Sequence, residues 1–207
     1  MTGDTRDILR TPGGTWEYLV LNEPPSTLPW EQQDAANYTF GWSKNRADGQ
    51  ATASAWFPQA EGIDIKYGIL NMVSKGAKRL ITLDLTEETW TYDSTNSGLF
   101  TDQPDQLTRM FGHASDYIFF AEDGSYNDVH FRNMETGEYG TLVEGGGAGG
   151  VGVGSETTGL AFSIDNKFMY AAFQSDAVYE FYREDGRAFN GTTIDTKYHD
   201  GSEERST

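Results

Sequence analysis

Acidic side chains recur beside short apolar runs along this chain, at positions where several of them could meet around one ion. The acidic residues that lie beside such runs are Glu61, Asp64, Asp105, Glu122, Asp123 and Glu156. Carboxylate oxygens are hard ligands, which suit Ca²⁺, Mg²⁺ or ferric iron better than they suit zinc. These residue types therefore favour metal binding through oxygen ligands.

Two of these acids stand out because they border strongly apolar stretches. Glu122 ends the run at 117–121, and Glu156 directly precedes the run at 157–162. A carboxylate at the border of a buried strand is costly to desolvate unless a cation or an arginine compensates its charge. We therefore predict that Glu122 and Glu156 are metal ligands.

Other familiar catalytic patterns are missing from the sequence. The chain has no cysteine, which excludes disulfides and thiolate metal sites. Its three histidines, His113, His130 and His199, have neither metal-like nor triad-like spacing, and His130 falls in an alternating strand pattern that favours a structural role. Neither Gly-x-Ser-x-Gly nor His-Glu-x-x-His occurs, so serine hydrolase and zincin chemistry are not supported.

The charge balance narrows the range of partners. Lys and Arg number 15 against 32 Asp and Glu, which gives a formal net charge of −17. A field of that sign repels nucleic-acid phosphates and anionic lipids. No apolar run approaches the roughly 20 residues that span a bilayer, and the first residues lack the apolar core of a signal peptide. We predict no nucleic-acid partner and no membrane insertion; the excess acid either keeps the surface soluble or attracts divalent cations.

The apolar residues alternate in short runs separated by turns, which is typical of many short strands. Repeating units open at Glu61, Asp105 and Glu156, so that successive openings are 44 and 51 positions apart. A propeller blade of four short antiparallel strands has this length. The sequence predicts an all-β fold, a partial β-propeller of about three blades. In the first unit we expect an acidic turn at 61–64 followed by three strands.

The chain divides into three parts on the same pattern. Residues 1–50 form an irregular N-terminal segment with one strand at 15–21, residues 51–190 form the blades, and residues 191–207 form a polar tail. Seven of the ten residues at 145–154 are glycine, which predicts a mobile loop between blades. Closed propellers have four to eight blades, so three blades leave open sheet edges. We expect an incomplete propeller, which association could complete.

Three stretches, at 59–64, 121–124 and 156–174, carry a resemblance to a known family. Over roughly residues 50–190 the chain resembles the PhoX-type alkaline phosphatases and their uncharacterised bacterial and algal relatives. Members of that family are secreted six-bladed propellers that hydrolyse phosphomonoesters with iron and calcium, held largely by carboxylates at the mouth of the channel. The resemblance implies that Glu122 and Glu156 bind metal, with Glu61 as a looser third candidate. It also implies that the cofactors are Ca and Fe and that the protein acts in the periplasm or outside the cell.

Two functions from different classes follow. In the first, the chain is a fragment of a PhoX-like, metal-dependent phosphomonoesterase, whose substrate is a phosphate ester. The other is that of a non-catalytic propeller segment that binds a protein or Ca²⁺. The characterised phosphatases bind iron with a cysteine and have earlier blades that supply further ligands; neither the cysteine nor room for those blades is found in this sequence.

Overall fold

The structure is a computed structural model that describes residues 12–22, 38–95, 102–110, 112, 116–124, 127–144, 156–174 and 176–189. The glycine-rich stretch at 145–154, the polar tail at 191–207, His113 and His199 lie outside the described residues. Within the described ranges almost all regular structure is antiparallel strand.

Three sheets follow one another along the chain. The first contains β1 (Tyr18–Leu21), β2 (Tyr38–Ser43), β3 (Ala60–Lys66), β4 (Ile69–Ser74), β5 (Arg79–Asp84) and β6 (Thr89–Ser94), with helix α1 (Arg46–Trp56) between β2 and β3. The second contains β7 (Gln103–Thr108), β8 (Tyr117–Asp123), β9 (Val129–Asn133) and β10 (Tyr139–Val143). The third contains β11 (Thr157–Phe162), β12 (Phe168–Phe173) and β13 (Val178–Tyr182).

Each sheet contains an up-and-down meander, which we call a blade. Blade 1 is β3 to β6, blade 2 is β7 to β10 and blade 3 is β11 to β13, while β1 and β2 extend blade 1 beyond β6. The first strand of each meander lies at the edge of its sheet, and these three strands are neighbours, β3 beside β7 and β7 beside β11. The described residues therefore form a partial, propeller-like all-β fold, as the sequence predicts.

Alternating apolar side chains hold the blades together. Between blades 1 and 2 lies a cluster of five buried residues, Val73, Leu80, Leu107, Ile118 and Phe120. The opposite face of blade 2 packs on blade 3 through a larger cluster that includes Phe119, Phe131, Phe162 and Met169. Because successive strand residues point to opposite faces, β8 supplies Ile118 and Phe120 to one interface and Phe119 to the other.

The outer part of blade 1 is covered by helix α1 rather than by another blade. The helix starts at the cap Asn45, whose Oδ1 accepts a hydrogen bond from the Ala47 backbone N–H at 3.2 Å. Near its other end, Trp56 is buried edge-on against Trp90, with ring centroids 4.5 Å apart. The Trp90 indole also donates to the Thr39 carbonyl, at 3.1 Å, which ties β2 to β6.

The structure differs from the sequence prediction in two places. The acidic stretch at 61–64 belongs to strand β3 and is not a turn, so blade 1 has four strands instead of three. Its pattern of Ile63 and Ile65 alternating with Asp64 and Lys66 is itself a strand pattern. In addition, the segment expected to contain one strand also carries β2 and the start of α1. Both are stabilised by contacts with blade 1, which a local pattern does not reveal.

Candidate metal centre

The inner strands bring acids from two blades to one end of the fold. Asp105 lies near the start of β7, Asp123 ends the neighbouring strand β8, and Glu156 directly precedes β11. One carboxylate oxygen from each of these residues lies within 4.8 Å of the other two. We call Asp105, Asp123 and Glu156 the inner rim.

A glycine allows the first two blades to approach closely beside the inner rim. A Cβ atom added at Gly62 would overlap the backbone of Gln106 and Leu107 on β7, so only a residue without a side chain fits here. Asp64 lies two residues after Gly62, and its Oδ2 atom is 2.7 Å from the Nε atom of Arg109, which directly follows β7. The strands β3 and β7 therefore run side by side, which places Glu61 next to Asp105.

One lysine partly balances the charge of the inner rim. Lys75 lies in the turn between β4 and β5, and its ammonium group forms an ion pair with Asp123. The same Nζ atom is 3.8 Å from a Glu156 carboxylate oxygen. With three carboxylates and Glu61 nearby against one ammonium group, the rim keeps an excess of negative charge, which attracts cations.

Asp105 shows the electrostatic cost of this arrangement. Asp105 is only 6% exposed to solvent. Burial raises the pKa of Asp105, and the nearby carboxylates of Glu61 and Glu156 raise it further, against the lowering effect of Lys75. A bound cation would relieve that cost, because it would stabilise the ionised form of the carboxyl group.

This shift predicts a pH-dependent effect of the substitution Asp105→Asn. The carboxyl group of Asp105 ionises near pH 3.8 in the unfolded chain, and its pKa is higher in the folded chain, so the native state loses stability as pH rises above about 3.8. The asparagine variant cannot ionise and avoids that loss. In urea unfolding without divalent cations, the stability of the variant relative to the wild type should increase as pH rises above about 3.8.

The control for this experiment is Glu87→Gln, which changes an exposed acid in the turn between β5 and β6. A difference between Asp105→Asn and the wild type that stays constant with pH would contradict the prediction. So would a relative stability of the variant that falls as pH rises.

A second group of titratable residues lies inside blade 2. Glu122, Asp128 and His130 are all fully buried, and each offers one ligand atom within 4.8 Å of the others. The His130 Nε2 atom is 3.1 Å from Glu122 Oε2, and its Nδ1 atom is 3.0 Å from the Thr141 hydroxyl. Both ring nitrogens therefore have partners within the blade, and the structural role of His130 stays a prediction.

Glu122 is the centre of this buried network. Its Oε1 atom accepts a hydrogen bond of 2.7 Å from the Asp102 backbone N–H, just before β7, while its Oε2 faces His130 on β9. Through His130 the network extends to Thr141 on β10. One carboxylate thus connects the segment before β7 with β8 and β9 directly, and with β10 through His130.

The three predicted ligands lie in different surroundings. Glu156 belongs to the inner rim, whereas Glu122 belongs to the buried group with His130. Glu61 is exposed and close enough to Asp105 to raise its pKa, but it is in neither of the two groups. Because Glu122 and Asp123 are adjacent on β8, their side chains point to opposite faces, and the residue that joins Glu156 is Asp123.

Sequence reasoning missed two participants. Lys75 carries the only cationic side chain that the structure places within ion-pair distance of the rim among the described residues. Its turn follows β4, and an up-and-down meander returns that turn to the end where β3 starts, so the strand order could have indicated it. Asp128 joins Glu122 and His130 only through the tertiary fold, and no spacing in the sequence indicates that contact.

The sequence was compared with protein-family models and with curated proteins, and neither comparison finds a match. The resemblance to PhoX-type phosphatases therefore stays a prediction. Among the described residues, no helix is long and apolar enough to cross a membrane.

Proposed function

We propose that this chain binds a divalent cation, Ca²⁺, at the inner rim. The observation that carries the proposal is the convergence of Asp105, Asp123 and Glu156, which come from two strands of blade 2 and from the segment leading into blade 3. The three acids are distant in sequence, so their proximity is a product of the fold. Glu61, on the neighbouring strand, adds to the negative potential there.

The donor set fits Ca²⁺ in chemistry and in size. Ca²⁺ takes oxygen ligands at about 2.3–2.6 Å, so two ligands of one ion can be up to about 5 Å apart. The rim oxygens lie within 4.8 Å of one another. Three carboxylates supply only part of the six to eight oxygens that Ca²⁺ prefers, and backbone carbonyls or water would complete the shell.

Lys75 sets the expected strength of binding. Its ammonium group contacts Asp123, so an ion that uses this carboxylate must displace the lysine. The binding free energy is reduced by the loss of that ion pair. We therefore expect weak binding, with a dissociation constant in the range of about 10⁻⁴–10⁻³ M that is typical of extracellular Ca²⁺ modules.

Calorimetric titration with Ca²⁺ tests the proposal. Asp123→Asn and Glu156→Gln should each weaken binding by at least about tenfold, because each removes a charged ligand. Lys75→Met should strengthen it, because the competing cation is gone. Glu87→Gln also removes one negative charge, but Glu87 lies on an exposed turn that is far from the rim residues in sequence. This substitution should leave the Ca²⁺ affinity unchanged.

Glu122→Gln is a second control, since this buried acid belongs to the His130 network. Glutamine keeps an acceptor for the Asp102 N–H, and we expect unchanged Ca²⁺ affinity. If Ca²⁺ causes no heat change at millimolar concentrations, or if the rim variants bind it as well as the wild type, the cation proposal is wrong.

We further propose that the bound cation serves phosphomonoester hydrolysis in a PhoX-like propeller. This extension is supported by the sequence resemblance and by the position of the rim where the inner strands start. A cation held there would polarise a phosphoryl oxygen and offset charge that develops in the transition state. The iron centre and the location outside the cytoplasm that the resemblance implies are part of the same proposal.

Hydrolysis of p-nitrophenyl phosphate by the purified chain tests this extension. We expect activity that needs added Ca²⁺ and iron, that a chelator abolishes, and that Glu156→Gln reduces by at least about tenfold. Glu87→Gln again serves as the control. Absence of hydrolysis by a chain that binds Ca²⁺ would reject the phosphatase and favour the non-catalytic Ca²⁺-binding segment.

A further inference from the structure

Blade 3 exposes an apolar sheet face at one end of the row of blades. On β13 the side chains of Val178 and Tyr182 are 69% and 67% exposed. They share this face with the half-buried rings of Phe168 and Tyr170 on β12, which stack at 6.5 Å. The face lies opposite the one that packs on blade 2.

Blade 1 exposes a second apolar face at the other end of the row. Ile63 and Ile65 on β3 are 63% and 59% exposed, and they point away from blade 2. Further out on the same face, Trp56 of α1 covers Trp90 and its neighbours. The inner part of this face therefore remains open among the described residues, while the outer part is covered.

The two open faces are equivalent to faces that already form contacts between neighbouring blades within the chain. In the first contact, the face of blade 1 that carries Val73 and Leu80 packs on blade 2. In the second, the face of blade 2 that carries Phe119 packs on the face of blade 3 that carries Phe162. In each contact, one blade uses the face that points toward the following blade, and the following blade uses the face that points back toward it. The open face of blade 3 is of the first kind, and the open face of blade 1 is of the second kind.

We propose that a second copy of this chain fills both positions. Blade 3 of each copy would pack on blade 1 of the other, around a twofold axis along the channel. The resulting ring has six blades, within the four to eight of closed propellers. In this arrangement the contact joins two different surfaces and occurs twice, because each copy supplies three of the six blades.

The charges at the two open faces are complementary. On the blade 1 face, the Arg79 guanidinium stacks over Trp56 and Tyr92, and among the described residues no carboxylate forms an ion pair with it. On the blade 3 face, Glu180 lies between Val178 and Tyr182 on β13 and is exposed. Arg79 is on β5 and Glu180 is on β13, so packing of the blade 3 face on the blade 1 face brings opposite charges to one interface. This inference does not depend on the proposed function.

Sedimentation equilibrium of the purified chain tests the inference. We expect twice the mass of one chain. Ile65→Asp alters the blade 1 face and Tyr182→Asp alters the blade 3 face, so each disrupts both contacts of the ring and should weaken dimerisation by at least about tenfold. Both side chains are more than half exposed, so the monomer should stay folded, which circular dichroism checks.

The matched control is Ile164→Asp, which changes an isoleucine that is 85% exposed in the turn between β11 and β12 and outside both faces. It should leave the dimer intact. A wild-type chain that stays monomeric at every concentration would overturn the proposal. So would a dimer that survives either Ile65→Asp or Tyr182→Asp, or a series of larger species that shows association without closure.

Discussion

The close approach of β3 and β7 at Gly62 is the contact on which the rest of the arrangement depends. The missing side chain lets the first strand of blade 1 lie against the backbone of Gln106 and Leu107 in blade 2. Once these strands are in place, Val73 and Leu80 reach the apolar face of β8, and Glu61 comes next to Asp105. The same contact thus supports the packing between blades and concentrates negative charge at one end of the fold.

The two groups of titratable residues show different physical solutions to the burial of charge. Inside blade 2, Glu122 accepts a hydrogen bond from the Asp102 backbone and lies 3.1 Å from the His130 ring, and these contacts connect the strands of the blade. At the inner rim, Lys75 compensates only part of the charge, and Asp105 keeps a raised pKa. The first group connects the strands of one blade, and the second is the site at which we propose that a cation binds.

Much of the fold could be predicted from alternation alone. Strands such as β8 and β12 have long apolar patterns bounded by turns, and their positions follow from the sequence. Strand β3 was missed because Glu61 and Gly62 resemble a turn, and only pairing with β4 and contact with β7 make them part of a sheet. Helix α1 has a weakly apolar sequence and depends on Trp56, which finds its partners in blade 1.

The candidate site could be predicted only in outline. The repeat placed acids at one end of the blades, but the register of β8 decides that Asp123 faces Glu156 while Glu122 faces His130. That choice depends on which side of the strand meets the neighbouring blade, and two adjacent acids carry no local signal of it. Lys75 reaches the rim through the meander of blade 1, so its role too is a property of the fold.

The most direct test of this account is the free energy of unfolding of Gly62→Ala, measured in urea beside Gly41→Ala. Gly41 also lies in a strand, β2, but an added methyl group meets no atom within 4 Å there. Because a methyl group at Gly62 must push β3 away from β7, we expect a loss of about 1–3 kcal/mol. Gly41→Ala should change stability by less than about 0.5 kcal/mol. If the two variants are equally stable, the close contact between blades 1 and 2 does not organise this fold.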